Sequence, residues 1–529
     1  MSRTLLTATC LFLLATATTL ANDTLWTRRY AGAGGRDDAV VAVLVDAQDN
    51  VIVVGSTVGL GTGFDFSVVK YDRRGARLWV REISGAGASR DYAKAACLTP
   101  NGGVVVTGAT GSFPDYDILT ALVDSAGNEV WRRTHSGPGG AADEPAAAAA
   151  ADDGSVVVAG YQTGSGGASE YVTIRYLPTG MPMWTSTYGG DGAARDVAVG
   201  PDGSVFVTGA SSSIQNGLDY LTIKYTPTGD TAWTARYNGP GNADDAAVAL
   251  AVADDGSVYV TGTSATAPPP GGTTHYATVK YNPDGSQGWL TRYTGTGGAN
   301  SAVGLTLGSS AVYVTGSSGN AQGNTDYATI AYNTGTGSAA WTERFDGPPT
   351  KNDDPAGIAV GPDGKVHVIG TSVNWSNQGD YCPVRYATDG TREWVTRLDP
   401  GNDDQARSIA VDGEGYPVIA GNSFTGGNYD WFVVRFDTAS GAVAEPGKAA
   451  RPRAALKLAP NPARGWVVLE HDLPGPVVVS IVGADGRAVL RRECEAGNAR
   501  LDLIGLAPGV YLARAEATGR AATGKLLVR

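Results

Sequence analysis

The chain is poor in the residues that most often carry chemistry. Four histidines and three methionines serve 529 residues. His135, His275, His367 and His471 stand in unrelated places, which argues against a multi-histidine metal or catalytic centre. Cysteine is equally sparse. Cys10 falls in an apolar N-terminal run, while Cys97, Cys382 and Cys494 have no close spacing and form no CxxC, so neither a disulfide framework nor a zinc site is expected. Cys97 lies in an alternating apolar run and reads as a buried free thiol. Charged residues make up 17% of the chain, against about 25% in ordinary proteins. Apolar residues still reach 42%, enough for a core and too many for generic disorder. No apolar run attains the roughly 20 residues that a membrane helix needs, and the alanine-rich stretch 146–151 is far too short. GxSxG, HExxH and P-loop patterns are missing. The DDG and PDG triplets lack the remaining ligand spacing of a calcium loop and read as turns.

What the chain has in abundance is glycine, 74 residues, about twice the usual share. Gly/Ser/Thr/Asn clusters alternate with short Val/Ile/Tyr runs, the pattern of an all-β protein. The start reads as a signal peptide: Arg3 supplies positive charge, residues 5–17 an apolar core, and Thr19-Leu20-Ala21 small residues at a cleavage site. Cleavage is expected after Ala21. Cys10 lies inside the apolar core rather than after it, so a lipid anchor is not expected.

Self-similarity dominates the rest. Trp26, Trp79, Trp131, Trp184, Trp233, Trp289, Trp341 and Trp394 recur at intervals of 49 to 56 residues. Each unit holds four strand-like runs: an inner alternating run, a V-x-V-x-G run, a D-Y-x-T-x-K-Y run and the tryptophan run. Four antiparallel strands per period of about 50 residues is the arithmetic of a β-propeller blade. The first tryptophan run precedes the first inner run, and the last set of three has no tryptophan after it. The N-terminal strand should therefore complete the eighth blade and leave no open edge at the seam.

The repeated V-Y-V-T-G and D-Y-A-T-x-x-Y runs resemble the secreted bacterial propeller repeats called SBBP repeats, which implies an extracellular propeller of unassigned activity. Quinoprotein dehydrogenases, also eight-bladed, carry tryptophan at similar places but typically use two adjacent cysteines, and none are adjacent here.

A propeller over 22–446 is followed by a Pro/Ala/basic linker at 447–455 and a second all-β unit over 456–529. From Gly447 onward 13 Lys+Arg face 7 Asp+Glu, so the tail carries +6 and the rest −18 of the net −12. An acidic propeller repels phosphate backbones, so no nucleic-acid partner is expected. The tail resembles the type A sorting domain of the type IX secretion system. The residues that carry this are Pro460-Asn461-Pro462, the Asp485-Gly486-Arg487 turn, Leu506, Gly509 and Tyr511, and the terminal run Lys525, Leu526, Leu527 and Val528. Ala459 replaces the aromatic often found before the Pro-Asn-Pro. The resemblance implies an immunoglobulin-like sandwich, handling by the type IX machinery, and release or display at the surface of a Gram-negative cell.

Loop length maps the candidate surface. Links between first and second strands, and between third and fourth, are tight Pro/Asp/Gly turns on one face. Links between second and third strands are long and varied: residues 263–274 hold three prolines, and residues 371–379 hold Trp375. They share the opposite face with the blade-to-blade links, and binding residues concentrate on such loops. On that face an acid recurs just before the inner strand, at Asp38, Asp91, Asp143, Asp245, Asp353 and Asp404. The third strand carries Lys70, Arg175, Lys224, Lys280, Arg385 and Arg435 at one recurring place. The favoured expectation is structural pairing of these two sets across the blades. A Ca²⁺-binding ring and simple turn capping are the alternatives. No cofactor is expected beyond that Ca²⁺ possibility. The expected function is a monomeric, non-catalytic binding propeller for an extracellular glycan or protein, with Trp375 and the acidic ring as binding candidates. The rival is a polysaccharide hydrolase or lyase using carboxylates at the channel mouth.

Overall fold

The computed structural model describes residues 24–437 and 456–528, apart from 60–62, 87–89, 113, 213–216, 269–271, 349 and short connections in the second stretch. The expected signal peptide and linker lie outside the described residues. The chain divides into two compact units, Met1–Ala444 and Glu445–Arg529.

The first unit contains eight antiparallel sheets. Blade 5 shows the pattern: Asp245–Val252, Val258–Ala265, Thr274–Tyr281 and Gln287–Tyr293 lie side by side in chain order. In blade 7 the third strand is split into Gly379–Tyr381 and Val384–Tyr386, because Pro383 has no N–H to give the ladder. In blade 8 the fourth strand is Thr24–Tyr30. It pairs antiparallel with Asn428–Phe436, from Thr24 opposite Phe436 to Tyr30 opposite Trp431. Inner strands touch their neighbours in cyclic order, and that of blade 8, Asp404–Val411, touches that of blade 1, Ala39–Val45. The ring therefore has eight blades, and the N-terminal strand closes it.

Second and third strands are sandwiched between blades, so both their faces are buried. Val51–Val58 is buried at every residue, whereas outer strands such as Thr231–Tyr237 expose alternate side chains. The glycine of the V-x-V-x-G run answers a local demand. At Gly262 an added Cβ would lie 2.1 Å from the Ala246 carbonyl oxygen and 2.8 Å from the Tyr220 hydroxyl of the previous blade, so no side chain fits. The threonine of the V-T-G runs pairs its hydroxyl with the next strand's threonine, as in Thr261–Thr278 at 3.0 Å. This satisfies a polar group inside the sheet stack.

The tryptophans latch blade to blade. Seven indole Nε1–H groups donate to a carbonyl in the next blade's third-to-fourth turn: Trp26 to Arg73 at 3.0 Å, Trp79 to Ser125 at 3.2 Å, Trp131 to Pro178 at 3.0 Å, Trp184 to Pro227 at 3.0 Å, Trp233 to Pro283 at 3.1 Å, Trp289 to Thr334 at 3.0 Å and Trp341 to Thr388 at 2.9 Å. Each ring also lies against the glycine of that turn. At Gly285, with φ +86°, an added Cβ would meet the Trp233 ring at 2.8 Å. Trp394 is the exception: its buried Nε1 has no acceptor. The turn it would reach does not exist, because the third strand of blade 8 ends at Phe436 and its partner is the distant N-terminal strand. Trp394 packs on Phe436 instead, with ring centroids 5.3 Å apart.

The second unit has two sheets, one of Leu456–Ala459, Trp466–His471 and Asn498–Asp502, the other of Ala488–Cys494, Val477–Val482, Gly509–Ala517 and Arg520–Val528. Val467 and Leu501 from the first and Val479, Ile481, Ala513 and Leu526 from the second share one buried cluster. Gly509 pairs with Val528, Tyr511 with Leu526, and Leu512 with Lys525. The Tyr511 hydroxyl donates back to the Ala507 carbonyl at 2.8 Å. Pro460, Asn461, Pro462 and the 485–487 turn lie outside the described residues.

Cys97 and Cys382 are free thiols. Cys382 is fully buried; Cys97, on the inner strand Tyr92–Leu98, is partly exposed as a residue, but its thiol packs against the core and burial pushes it up to about 12.

Candidate functional site

The expected pairing of the acidic and basic rings does not occur. The two sets sit at opposite ends of the strands. Lys70 reaches Asp46, in the tight turn between first and second strands, at 2.8 Å. Arg175 meets Asp153 at 3.4 Å, Lys224 meets Asp202 at 3.6 Å, and Arg435 meets Asp412 at 2.6 Å. Arg385 takes Glu393 at 3.2 Å, and Lys280 donates to the Thr334 carbonyl at 3.3 Å. Aspartates of the first-to-second turns are therefore the partners of four of the six, and two of these, Asp153 and Asp202, belong to the DDG and PDG triplets. For Asp46, burial raises the carboxyl pKa, but hydrogen bonds from Lys70 and Asn50 outweigh it and hold it below the usual range.

The acidic ring lies on the long-loop face, and all six side chains are buried. Its first task is capping. Asp38, Asp91, Asp143, Asp245 and Asp353 each accept the N–H of the glycine six residues earlier: Gly32 at 2.6 Å, Gly85 at 2.7 Å, Gly137, Gly239 at 2.5 Å and Gly347 at 2.6 Å. Asp404, in a shorter link, accepts from Gly401 at 3.2 Å. In blades 1, 3 and 5 the other oxygen accepts the N–H twenty residues ahead, from Val58 at 3.1 Å, Thr163 at 2.8 Å and Ala265 at 3.1 Å. One carboxylate thus ties the incoming link to the end of the second strand. Blade 6 uses Asn300 at this place, with its amide donating to Thr274 and Gly297 carbonyls.

A second acid recurs near the start of the third strand and was not singled out in the sequence: Asp65, Asp117, Glu170, Asp219, Asp326, Asp380 and Asp430. Each faces the Ser, Thr or Gln near the end of the second strand, as Asp326 faces Ser318 and Asp380 faces Ser372. The signal was present in the D-Y pairs at Asp219, Asp326 and Asp380, which sit beside more obvious tyrosines. Arginines of the outer strand answer some of them: Arg344 bonds Asp326 at 2.7 Å and Arg397 bonds Asp380 at 2.9 Å.

Burial is the leading cause that raises the capping carboxyls. Asp38 and Asp353 are pushed up to about 6 and Asp404 to about 7, while Asp143 and Asp245 are raised as well.

Trp375 stands apart from all of these. Its side chain is 79% exposed, more than any other large apolar side chain among the described residues. The loop beneath it is closed by its own hydrogen bonds. Asn374 donates its N–H to the Gln378 carbonyl at 2.8 Å, and its side-chain oxygen accepts from Ser376 at 2.8 Å and Gln378 at 3.2 Å. Asn377 supplies the positive φ, 61°. Lys351, from the link into blade 7, donates to the Asn374 carbonyl at 3.1 Å and to the Asn377 side chain. Blade 6 builds the same turn at Asn320, where Oδ1 accepts from Gln322 at 3.1 Å and Asn324 at 3.0 Å. There the position of Trp375 is Ala321. The aromatic is thus added to a loop that folds without it.

Comparison with known proteins follows the two units. Residues 457–529 match the family described as "Secretion system C-terminal sorting domain", and residues 253–287 match "Domain of unknown function (DUF5122) beta-propeller". No curated protein matches the chain. Among solved structures, BamB from Moraxella catarrhalis is 13% identical, with 78% of this chain and 99% of that one covered at a TM-score of 0.45. A quinohemoprotein alcohol dehydrogenase from Comamonas testosteroni is 11% identical, with coverage of 78% and 76% and a TM-score of 0.42. Streptogramin B lyase is 11% identical, with coverage of 78% and 97% and a TM-score of 0.37. The chain is a secreted or surface β-propeller protein, one of whose repeats matches a propeller family of unknown function and whose C-terminal segment matches the sorting domain of a secretion system.

Proposed function

We propose that the propeller is a non-catalytic binding module that engages an extracellular glycan through its long-loop face. The observation that carries this reading is Trp375. An indole held out on a braced turn, 79% exposed, costs apolar exposure, and such a flat face suits the C–H face of a sugar ring. Aromatic side chains also lose little conformational entropy when a ligand docks. The Asn- and Thr-rich turns of blades 6 and 7 supply neutral donors and acceptors beside it. The acidic ring contributes indirectly, by fixing the links from which these loops rise.

The same proposal includes the export route. Residues 1–21 direct the chain across the inner membrane. The sorting unit then takes it through the type IX machinery, with removal of the tail in the 447–455 linker.

A glycan array and a glycoside panel test the reading with the purified chain. Binding to one glycan class, reduced at least tenfold by Trp375→Ala with an unchanged denaturation midpoint, supports it. Turnover of a polysaccharide that disappears on changing a loop-face aspartate overturns it in favour of the hydrolase or lyase.

A further inference from the structure

Blade 7 carries a histidine where the other blades carry apolar or aromatic residues. In the V-x-V-x-G run the second residue is Ile52, Val105, Val157, Phe206, Tyr259, Tyr313 and Val418 in blades 1 to 6 and 8, and His367 in blade 7. Phe206, Tyr259 and Tyr313 each join a cluster with residues of the following blade. His367 lies at the matching contact with blade 8: a Cβ added at Gly361 would stand 3.7 Å from His367 Nε2 and 3.3 Å from Val411 Cγ1. The residue is 2% exposed, and neither ring nitrogen has a hydrogen-bond partner.

The junction it faces also lacks a bond that others have. Arg385 stands opposite His367, and Trp394 opposite Arg385, so the three form one row across the blade. In four other blades the base and the tryptophan of this row share one carbonyl of the next blade. Ser125 serves Lys70 and Trp79, Pro227 serves Arg175 and Trp184, Thr334 serves Lys280 and Trp289, and Arg73 serves Arg435 and Trp26. In blade 7 neither Arg385 Nε nor Trp394 Nε1 has a hydrogen-bond acceptor. Arg385 is held by an ion pair with Glu393 at 3.2 Å, and Glu393 is shared with Lys365. Asp363, in the tight turn beside the imidazole, accepts the Lys365 N–H at 3.1 Å. The inner strand places Ala359 opposite His367. Blade 8 brings Val411 to the contact, and its turn acids, Asp412 and Glu414, are paired with Arg435.

We propose that the junction between blades 7 and 8 is an acid-responsive weak point of the ring: a proton taken up by His367 sets a second cation beside Arg385, in a row without the shared carbonyl, and loosens this junction before the others. Phenylalanine or tyrosine at this place takes up no proton in acid. Burial, and after it the charge of Arg385, hold the imidazole down at about 4, against a weaker upward pull from Asp363. Unfolding returns it to about 6.5. The neutral ring therefore favours the fold. That contribution is complete above about pH 6.5 and is lost as pH falls toward 4. Between about pH 7.5 and 5 the loss raises the unfolding constant roughly 30-fold. Raised acids such as Asp38, Asp353 and Asp404 act in the opposite sense over part of that range, so the difference between the unchanged chain and a variant is the quantity to read. No ligand at the long-loop face enters this behaviour.

His367→Phe and His367→Tyr install the residue types found at this place in blades 4 to 6. Urea denaturation of the full chain and of each variant at about pH 7.5 and 5 tests the proposal. Acid should raise the unfolding constant of the unchanged chain by a factor at least about ten times that of either variant. Hydrogen exchange, resolved by peptide and corrected for the intrinsic rate, locates the effect. At the lower pH the unchanged chain should lose protection first in Val366–Val373 and Pro417–Thr425, with Val156–Thr163 and Val205–Ser212 as reference strands. The same pH response in the variants and the unchanged chain, or protection lost evenly round the ring, overturns the proposal. If neither variant folds, the exchange pattern of the unchanged chain decides alone.

Discussion

Trp26→Ala tests the closure of the ring at the single point where sequence order and spatial order part company. Trp26 is 8% exposed, its Nε1–H reaches the Arg73 carbonyl at 3.0 Å, and its ring lies 6.1 Å from that of Tyr71 and against Gly75. Truncating a packed aromatic costs about 3–5 kcal/mol, including a hydrogen bond worth about 1 kcal/mol net. The loss falls on a domain whose total stability is on the order of 5–15 kcal/mol. With an m value of about 3 kcal/mol/M, the urea midpoint should fall by at least about 1 M. Trp233→Ala removes the matching latch in mid-chain and should cost about as much. Trp375→Ala, at an exposed site, should stay within about 0.5 kcal/mol. Deleting residues 24–30 should be worse than Trp26→Ala, and a synthetic peptide of those residues should restore stability by pairing again with Asn428–Phe436. Urea denaturation followed by tryptophan fluorescence, with limited proteolysis as a second probe, reads all of these. A midpoint for Trp26→Ala equal to that of the unchanged chain would mean that the N-terminal strand does not hold the seam.

Four other perturbations have definite outcomes. Gly285→Ala forces a side chain into positive φ and against the Trp233 ring, so a loss of about 2 kcal/mol is expected in denaturation; no change refutes the latch geometry. Lys70→Met leaves Asp46 buried and unpaired, with side-chain exposures of 5% and 2% in the original pair, and should cost about 3–5 kcal/mol, measured against Lys94→Met, whose exposed pair with Glu144 serves as the control. Asp196 accepts the Leu250 N–H across a blade junction at 2.8 Å, and burial raises its carboxyl to about 6. A raised acid favours the folded state below its unfolded value, near 3.8, and that contribution is lost as pH rises through 6; for this half-buried group it is discounted to about 1 kcal/mol. Asp196→Asn should flatten the pH dependence of the midpoint between about pH 4 and 6, and an unchanged slope there counts against the assignment. Deletion of residues 456–529 should leave the propeller folded but retained in the periplasm of a type IX-competent host; its normal appearance in the medium refutes the sorting role.

The architecture was legible because it is written in a period. Eight tryptophans, each latched to the following turn, set the blade count, and the displaced first tryptophan revealed the seam. The charge pairing was misread for a physical reason. Asp38 stands at the start of an inner strand and Lys70 at the end of a third strand, so the two lie on opposite faces, about 20 Å apart for strands of six or seven residues. Recurrence in sequence says that two positions repeat together, not that they meet. The true partner, Asp46, stands just after the inner strand and was not singled out in the sequence. The acidic clusters Asp326/Asp346/Asp353 and Asp380/Asp399/Asp404, whose carboxylate oxygens lie within 4.8 Å of one another, were hidden in a different way. Asp346 and Asp399 depart from the repeat rather than following it, and a search for what recurs passes over what is added once or twice. Trp375 was noticed as a loop aromatic, but only the structure shows that the turn beneath it is braced and its indole exposed.

The seam also sets a schedule. The strand that completes blade 8 is synthesised before any blade, while its partner strand emerges last, some four hundred residues later. Until that partner arrives, Thr24–Tyr30 has no edge to join, and the inner strands form an open arc rather than a ring. Blades 1 to 7 can each form locally as their four strands appear, because hairpin contacts are short-range. The cooperative gain of closure waits for the whole propeller to be present in one compartment. A chain threaded across a membrane from its N-terminus therefore stays short of its most stable state until the last repeat has crossed.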